Sequence, residues 1–175
     1  MLTINRIKEA EYNFNKYLHE GLLLKSQNDV AKQVFFKNAS DSLKAAQLLF
    51  NNNYSLWTIV TAYYSMFYIT NAVLLKLGYK TSHRIVHKVT ADALIHIIRP
   101  KLKSQILLSY EDIKDQAMQI AKIKSDQLIS NFDYERNKRN AIQYQTSKAD
   151  LKQKANTSLT RAKEFVFEME QLLNE

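Results

Sequence analysis

Two glycines and one proline are the only strong backbone punctuation in this chain of 175 residues, and that scarcity decides its fold class. Tight turns draw on glycine for left-handed backbone and on proline for a preset φ. Gly21, Gly78 and Pro100 are too few for a turn-rich β architecture, whereas long segments of Ala, Leu, Lys, Gln and Glu favour helix. The chain is predicted to be all-α, an up-and-down bundle of four to five main helices with a further helix at the N-terminus. A chain of this length buries a substantial core as one domain. Cysteine is absent, which removes disulfide frameworks and thiolate metal sites. No charged-then-apolar leader opens the chain, so the expected compartment is the cytoplasm.

Apolar periodicity places the helices. The first is expected from Ile4 to His19, ended by Gly21, with Leu22 to Leu24 packing back onto the body. The second runs from Asp29 to Asn51, its inward face made by Val34, Phe35, Ala39, Leu43, Ala46, Leu49 and Phe50. The third begins near Ser55, carries Trp57, Val60, Tyr63, Tyr64, Phe67, Ala72 and Leu74, and stops at Gly78. Thr81 or Ser82 is positioned to cap a fourth helix through Arg99, before Pro100 turns the chain. A fifth is expected from beyond Tyr110 to about Tyr144, and Ser147 caps a last one through Ala162, Phe165, Met169 and Leu173. Residues 1–27 read as an N-terminal helical extension and 28–175 as the bundle.

From Asn51 to Leu75 no charged residue appears, a span long enough to cross a bilayer. Its asparagines, hydroxyl residues and tyrosines would strand polar groups in lipid. It therefore reads as the central helix of a bundle, apolar on most sides because neighbours surround it.

Charge narrows the function. The formal net charge is +8, and between residues 76 and 103 seven basic residues face a single acid, Asp92. Such a field suits nucleic acid, nucleotide or an acidic protein partner. Further on stands Arg136-Asn137-Lys138-Arg139-Asn140-Ala141-Ile142-Gln143-Tyr144. On a helix, Arg136, Asn140 and Gln143 recur at three- and four-residue spacing with Arg139 and Tyr144 beside them. Arginine presents a planar fork of donors that fits phosphate oxygens, so this stripe is either a phosphate-binding surface or a solvated face. Arg84 and Lys88 add cations near His83 and His87.

The order of motifs resembles a known family. The chain reads Ala39-x3-Leu43-x2-Ala46-x-Leu48-Leu49, then Tyr54, Ala62-Tyr63-Tyr64-Ser65-Met66-Phe67-Tyr68, Ala72-x-Leu74-Leu75, Gly78-Tyr79 and Ser82-His83, and closes with Arg136-x2-Arg139-Asn140-x3-Tyr144. This pattern, over roughly residues 28 to 173, looks like a HEPN domain. The resemblance implies a helical bundle that forms a homodimer, with the arginine motif of each protomer facing a shared cleft that takes RNA or nucleotide. It also implies a toxin–antitoxin or defence setting, with an antitoxin or a nucleotidyltransferase as a further partner.

Many HEPN proteins are metal-independent ribonucleases with the motif R-N-x-x-x-H. Arg139 and Asn140 match its first two positions, and the histidine position is Tyr144. Cleaving RNA without metal needs a base, an acid and donors for the phosphorane charge. Arg139 and Arg136 suit the last role. Tyrosine, with a reference pKa of about 10, is a poor base at neutral pH but can donate a proton or orient phosphate. His83 is a candidate helper in proton transfer. Whether the chain is an enzyme stays open at this point: a ribonuclease, a binding or partner protein without turnover, and a purely structural dimer all fit. His83 and His87 lack companions for a zinc set, so no metal or cofactor is expected. Tyr63, Tyr64, Phe67, Tyr68 and Trp57 read as core rather than as a base-stacking platform.

Overall fold

Helix α1 (Ile4–His19) starts at Thr3, whose hydroxyl accepts the Arg6 N–H, and α2 (Asp29–Asn51) starts at Asn28, whose side chain accepts the Ala31 N–H. Each cap satisfies an amide that a helix start leaves unpaired. Asn53, at φ 62°, turns the chain into α3 (Ser55–Lys76), since a short polar side chain tolerates left-handed backbone. This computed structural model describes residues 2–134 and 148–174, with side chains described for 2–103, 105–122 and 149–174.

The segment after Gly21 does more than pack back. Leu23–Lys25 forms strand β1, antiparallel to β2 (Tyr79–Thr81), with Leu23 opposite Thr81 and Lys25 opposite Tyr79. Gly78, at φ 87°, makes the tight exit from α3 that this pairing needs. Thr81 is therefore a strand residue whose hydroxyl donates to Asn71 Oδ1 (2.8 Å), and the Ser82 N–H goes to the Leu22 carbonyl. The fourth helix accordingly begins later than expected, as α4 (Val86–Ala93).

It also ends differently. Leu94–Ile98 is a π-helical turn and Arg99–Lys101 a 3₁₀ turn. Proline lacks an N–H and its ring clashes with the carbonyl four residues back, so Pro100 forces the preceding turn open. The Arg99 N–H falls back to the Leu94 carbonyl. The Ile95 carbonyl, deprived of that partner, accepts from Arg99 Nε at 3.2 Å.

Helix α5 (Ser104–Tyr134) begins ahead of Tyr110, and α6 (Lys148–Asn174) returns beside it. The pairs Lys103–Glu168 and Arg161–Asp112 make the two antiparallel, and Tyr110 stacks 5.3 Å from Phe165 between them. At the C-terminal end of α6 Lys76 donates to the Leu172 and Leu173 carbonyls (2.9 and 3.2 Å), closing the last turn of that helix.

Helix α3 runs through the middle of this all-α bundle, against α2, α5 and α6. Ala62, Met66, Ile69 and Val73 are fully covered, and Ala39 and Ala46 bring α2 close to it. Two residues expected in the core are half exposed: Val34 and Trp57, each at 52%. Helical geometry gives the reason. Val34 is about 140° round α2 from Ala39, and Trp57 is about 180° round α3 from Met66. Helix α3 is long and apolar enough to cross a membrane by composition, but 78% of that window is buried inside the protein itself.

Helix α1 shares this core through Ala10, Phe14 and Tyr17. It is also tied to it by a buried carboxylate. Asp92, with none of its surface exposed, accepts from Arg6 Nη1 (2.6 Å), Asn13 Nδ2 (2.9 Å) and the Tyr17 hydroxyl (2.9 Å). Arg6 reaches on to Glu111, which Lys114 also pairs. Burial works against the Arg6 charge, but Glu111 and Asp92 outweigh it and its pKa is raised. Burial and then Asp92 raise Tyr17 as well, so it stays a donor.

Candidate nucleic-acid interface

The expected phosphate-binding residues divide into two groups. Arg136, Arg139, Asn140, Gln143 and Tyr144 lie outside the described residues, in the connection between α5 and α6. His83, Arg84 and Lys88 are described and exposed, on the turn into α4 and on its first turn.

That turn is held by strain. Ile85, at φ 42° and ψ 32°, occupies left-handed backbone that a β-branched residue rarely adopts, and its side chain is 57% exposed. Its carbonyl accepts the Lys88 and Val89 N–H groups, so the cost of the conformation starts the helix. Arg84 and Lys88 are both exposed at this corner.

The basic stretch from 76 to 103 is partly structural. Lys76 closes α6, Arg99 caps the opened turn at Ile95 and Lys103 pairs with Glu168. Lys80, Arg84, Lys88 and Lys101 have no ion pair among the described residues.

Of the histidines in this stretch, His87 rather than His83 has a built environment. The Tyr63 hydroxyl and His87 Nδ1 share a hydrogen bond of 2.8 Å, and Phe67 packs 4.7 Å from the imidazole. Burial lowers the His87 pKa and raises that of Tyr63, so both are neutral at pH 7. Tyr110 lies behind, its ring 6.0 Å from Tyr63. Its buried hydroxyl is near enough to Tyr63 to affect its titration, yet it meets hydrogen-bonding geometry with no described residue. His83 shows no hydrogen bond among the described residues. The signal for His87 was present in the sequence as its place one turn past His83, but its partner is 24 residues away and becomes visible only when α4 packs on α3.

His87 meets Tyr63 beside Tyr110, near the start of α5. At about 1.5 Å per residue, the path along α5 from Tyr110 to Tyr134 is roughly 36 Å.

Between α5 and α6 a groove of about 570 Å³ is lined by Asp112, Gln116, Gln153, Lys154 and Arg161, among others. Arg161 is held by Asp112, whereas Gln116 Oε1 is buried without a hydrogen-bond partner among the described residues. Among the described residues no group of three or more His, Asp or Glu side chains is placed to hold a metal ion.

An all-α bundle with α3 at its centre and a basic corner at α4 is thus the class of protein that the fold defines. The family model described as HEPN domain matches residues 32–172. The chain belongs to that family. No curated protein and no solved structure matches it significantly. Membership is consistent with a nucleotide- or RNA-related role.

Proposed function

We propose that this protein binds RNA through Arg136, Arg139, Asn140 and Gln143, in a cleft that two copies of the chain form together. The observation that carries the reading is the span of the family match, 32–172, which includes the whole Arg136 to Tyr144 run. Two guanidiniums near one another repel unless an anion lies between them, and phosphate fits both. The polar α5–α6 groove, with Lys154 on its wall, is next to where α6 begins after that run. It supports a ligand with many donors and acceptors. Tyr144 stands where ribonucleases of the family carry histidine, which favours binding over rapid cleavage. The same chemistry suits a cytoplasmic toxin–antitoxin or defence role, with an antitoxin or a nucleotidyltransferase as the protein partner.

The test is incubation of the purified protein with a mixed RNA pool in the presence of chelator, beside Arg139→Ala and Tyr144→Phe. RNA retained intact by the parent and released by Arg139→Ala is the expected result. New RNA ends that vanish in both variants would make it a metal-independent ribonuclease with a catalytic phenol. Retention indifferent to Arg139 would reduce the run to a structural interface.

A further inference from the structure

The outer face of α3 carries a feature that the core does not use. Trp57, Thr61, Tyr64 and Tyr68 are spaced by four, three and four residues, so they fall on one line along the helix. That line faces directly away from Met66. Trp57 is 52% exposed and Tyr64 and Tyr68 are half-buried, whereas Tyr63 and Phe67 beside them are buried. The expectation that all five aromatic residues are core therefore holds for only two.

Tyr64 and Tyr68 join rings from three helices, and Trp57 stands two turns before them on the same line. Tyr64 and Tyr68 are 5.8 Å apart, Tyr68 meets Phe35 of α2 at 6.1 Å, and Tyr64 meets His87 of α4 at 5.9 Å. One turn further along, Asn71 is buried and engaged with Thr81 and Thr90, so the stripe closes under β2 and α4. By helical rise its open part is about 16 Å long.

The chain segment that carries the stripe is basic. From Ser42 to Ala91 the chain contains no acidic residue, and this span includes the second half of α2, all of α3 and the turn into α4. Lys88 follows His87 directly, and Arg84 precedes it by three residues; both are exposed. A line of tyrosine and tryptophan side chains, with the exposed cations Arg84 and Lys88, unpaired among the described residues, on the helix that meets Tyr64 through His87 and the turn into it, matches a single-stranded polyanion with flat bases. Aromatic faces stack on any base, and cations follow the backbone. A duplex hides its base faces and finds nothing to stack here.

We infer that the Trp57–Tyr64–Tyr68 stripe is a stacking platform for single-stranded RNA, with Arg84 and Lys88 on its phosphates. The inference rests on RNA being the ligand of this protein, and it adds a strand-selective contact apart from the arginine run.

Trp57 is the chain's one tryptophan, so intrinsic fluorescence reports on the stripe directly. The protein is titrated with a single-stranded RNA oligonucleotide and with the same oligonucleotide annealed to its complement. Affinity is read in parallel from the anisotropy of labelled RNA. Saturable quenching is expected with the single strand and little with the duplex, and the quenching persists in Arg139→Ala at higher RNA concentration. Tyr64→Ala and the surface changes Trp57→Ala and Lys88→Glu each weaken single-strand binding by about tenfold, with unchanged helical circular dichroism. RNA bound without quenching, and indifferent to Trp57→Ala and Lys88→Glu, overturns the platform while leaving the arginine cleft intact. Quenching that follows protein concentration alone assigns the stripe to a second copy of the chain and overturns it too. Failure of the parent protein to bind any RNA removes both readings together.

Discussion

Asp92 is fully buried, and three donors from α1 hold it. Removing one partner of a buried pair leaves an uncompensated charge, which costs far more than the loss of a surface pair. Arg6→Ala is expected to destabilise the protein by about 3 kcal/mol, at the low end for such pairs because Asn13 and Tyr17 remain. Urea denaturation measures this, and a loss below about 0.5 kcal/mol would class the pair with exposed ones. His87 makes the opposite kind of statement. Its pKa is lowered on folding by burial, so the unfolded chain takes up the proton first on acidification. Stability is full above the unfolded value of about 6.5 and is lost as pH falls from there through the lowered folded value. In His87→Gln this part of the pH dependence of the denaturation midpoint should disappear. Ile85 stores strain at an exposed position, and Ile85→Gly should stabilise the fold by about 1 kcal/mol.

Among the elements, the long helices were legible in the sequence because their signals are local. Thr3 and Asn28 cap where hydrogen-bonding side chains precede periodic apolar runs, and Gly78 stops α3 as a C-terminal glycine does. The departures share one cause. Strand β1 pairs with a segment more than fifty residues away, the π turn answers to Pro100 through a carbonyl that only a three-dimensional helix presents, and Trp57 is exposed because α2, α5 and α6 cover the other faces of α3. Composition marks a residue as apolar but cannot say which side of a helix stays open. The basic run at Arg136 to Tyr144 can be picked out in the sequence but lies outside the described residues, whereas the His87–Tyr63 pair is visible only in the fold, since it joins two helices. Gly78 gives the test at this scale. A Cβ added there meets nothing within 4 Å, so Gly78→Ala is penalised by its left-handed φ alone, by about 1 kcal/mol, with no change expected in the helical circular dichroism.

Across the whole molecule, a net charge of +8 attracts any polyanion, so affinity for RNA alone says little about where it binds. Salt dependence separates general attraction from contacts at defined residues. Each phosphate neutralised on a single strand releases condensed counterions and contributes about −0.7 to the slope of log K against log salt. If Arg136 and Arg139 each hold a phosphate, the double change Arg136→Ala, Arg139→Ala makes that slope shallower by about 1.4. Removing two charges that merely add to the overall field weakens binding at low salt but leaves the slope almost unchanged, because screening between separated exposed charges is already strong at about 0.1 M. Anisotropy titrations of one labelled single strand between about 50 and 200 mM salt distinguish the two. Lys88→Glu on the same plot then tells whether the α4 corner holds a phosphate of its own. A slope change that adds to the one from the arginines places both on one bound strand, and a slope change only when the arginines are intact makes the corner dependent on the cleft.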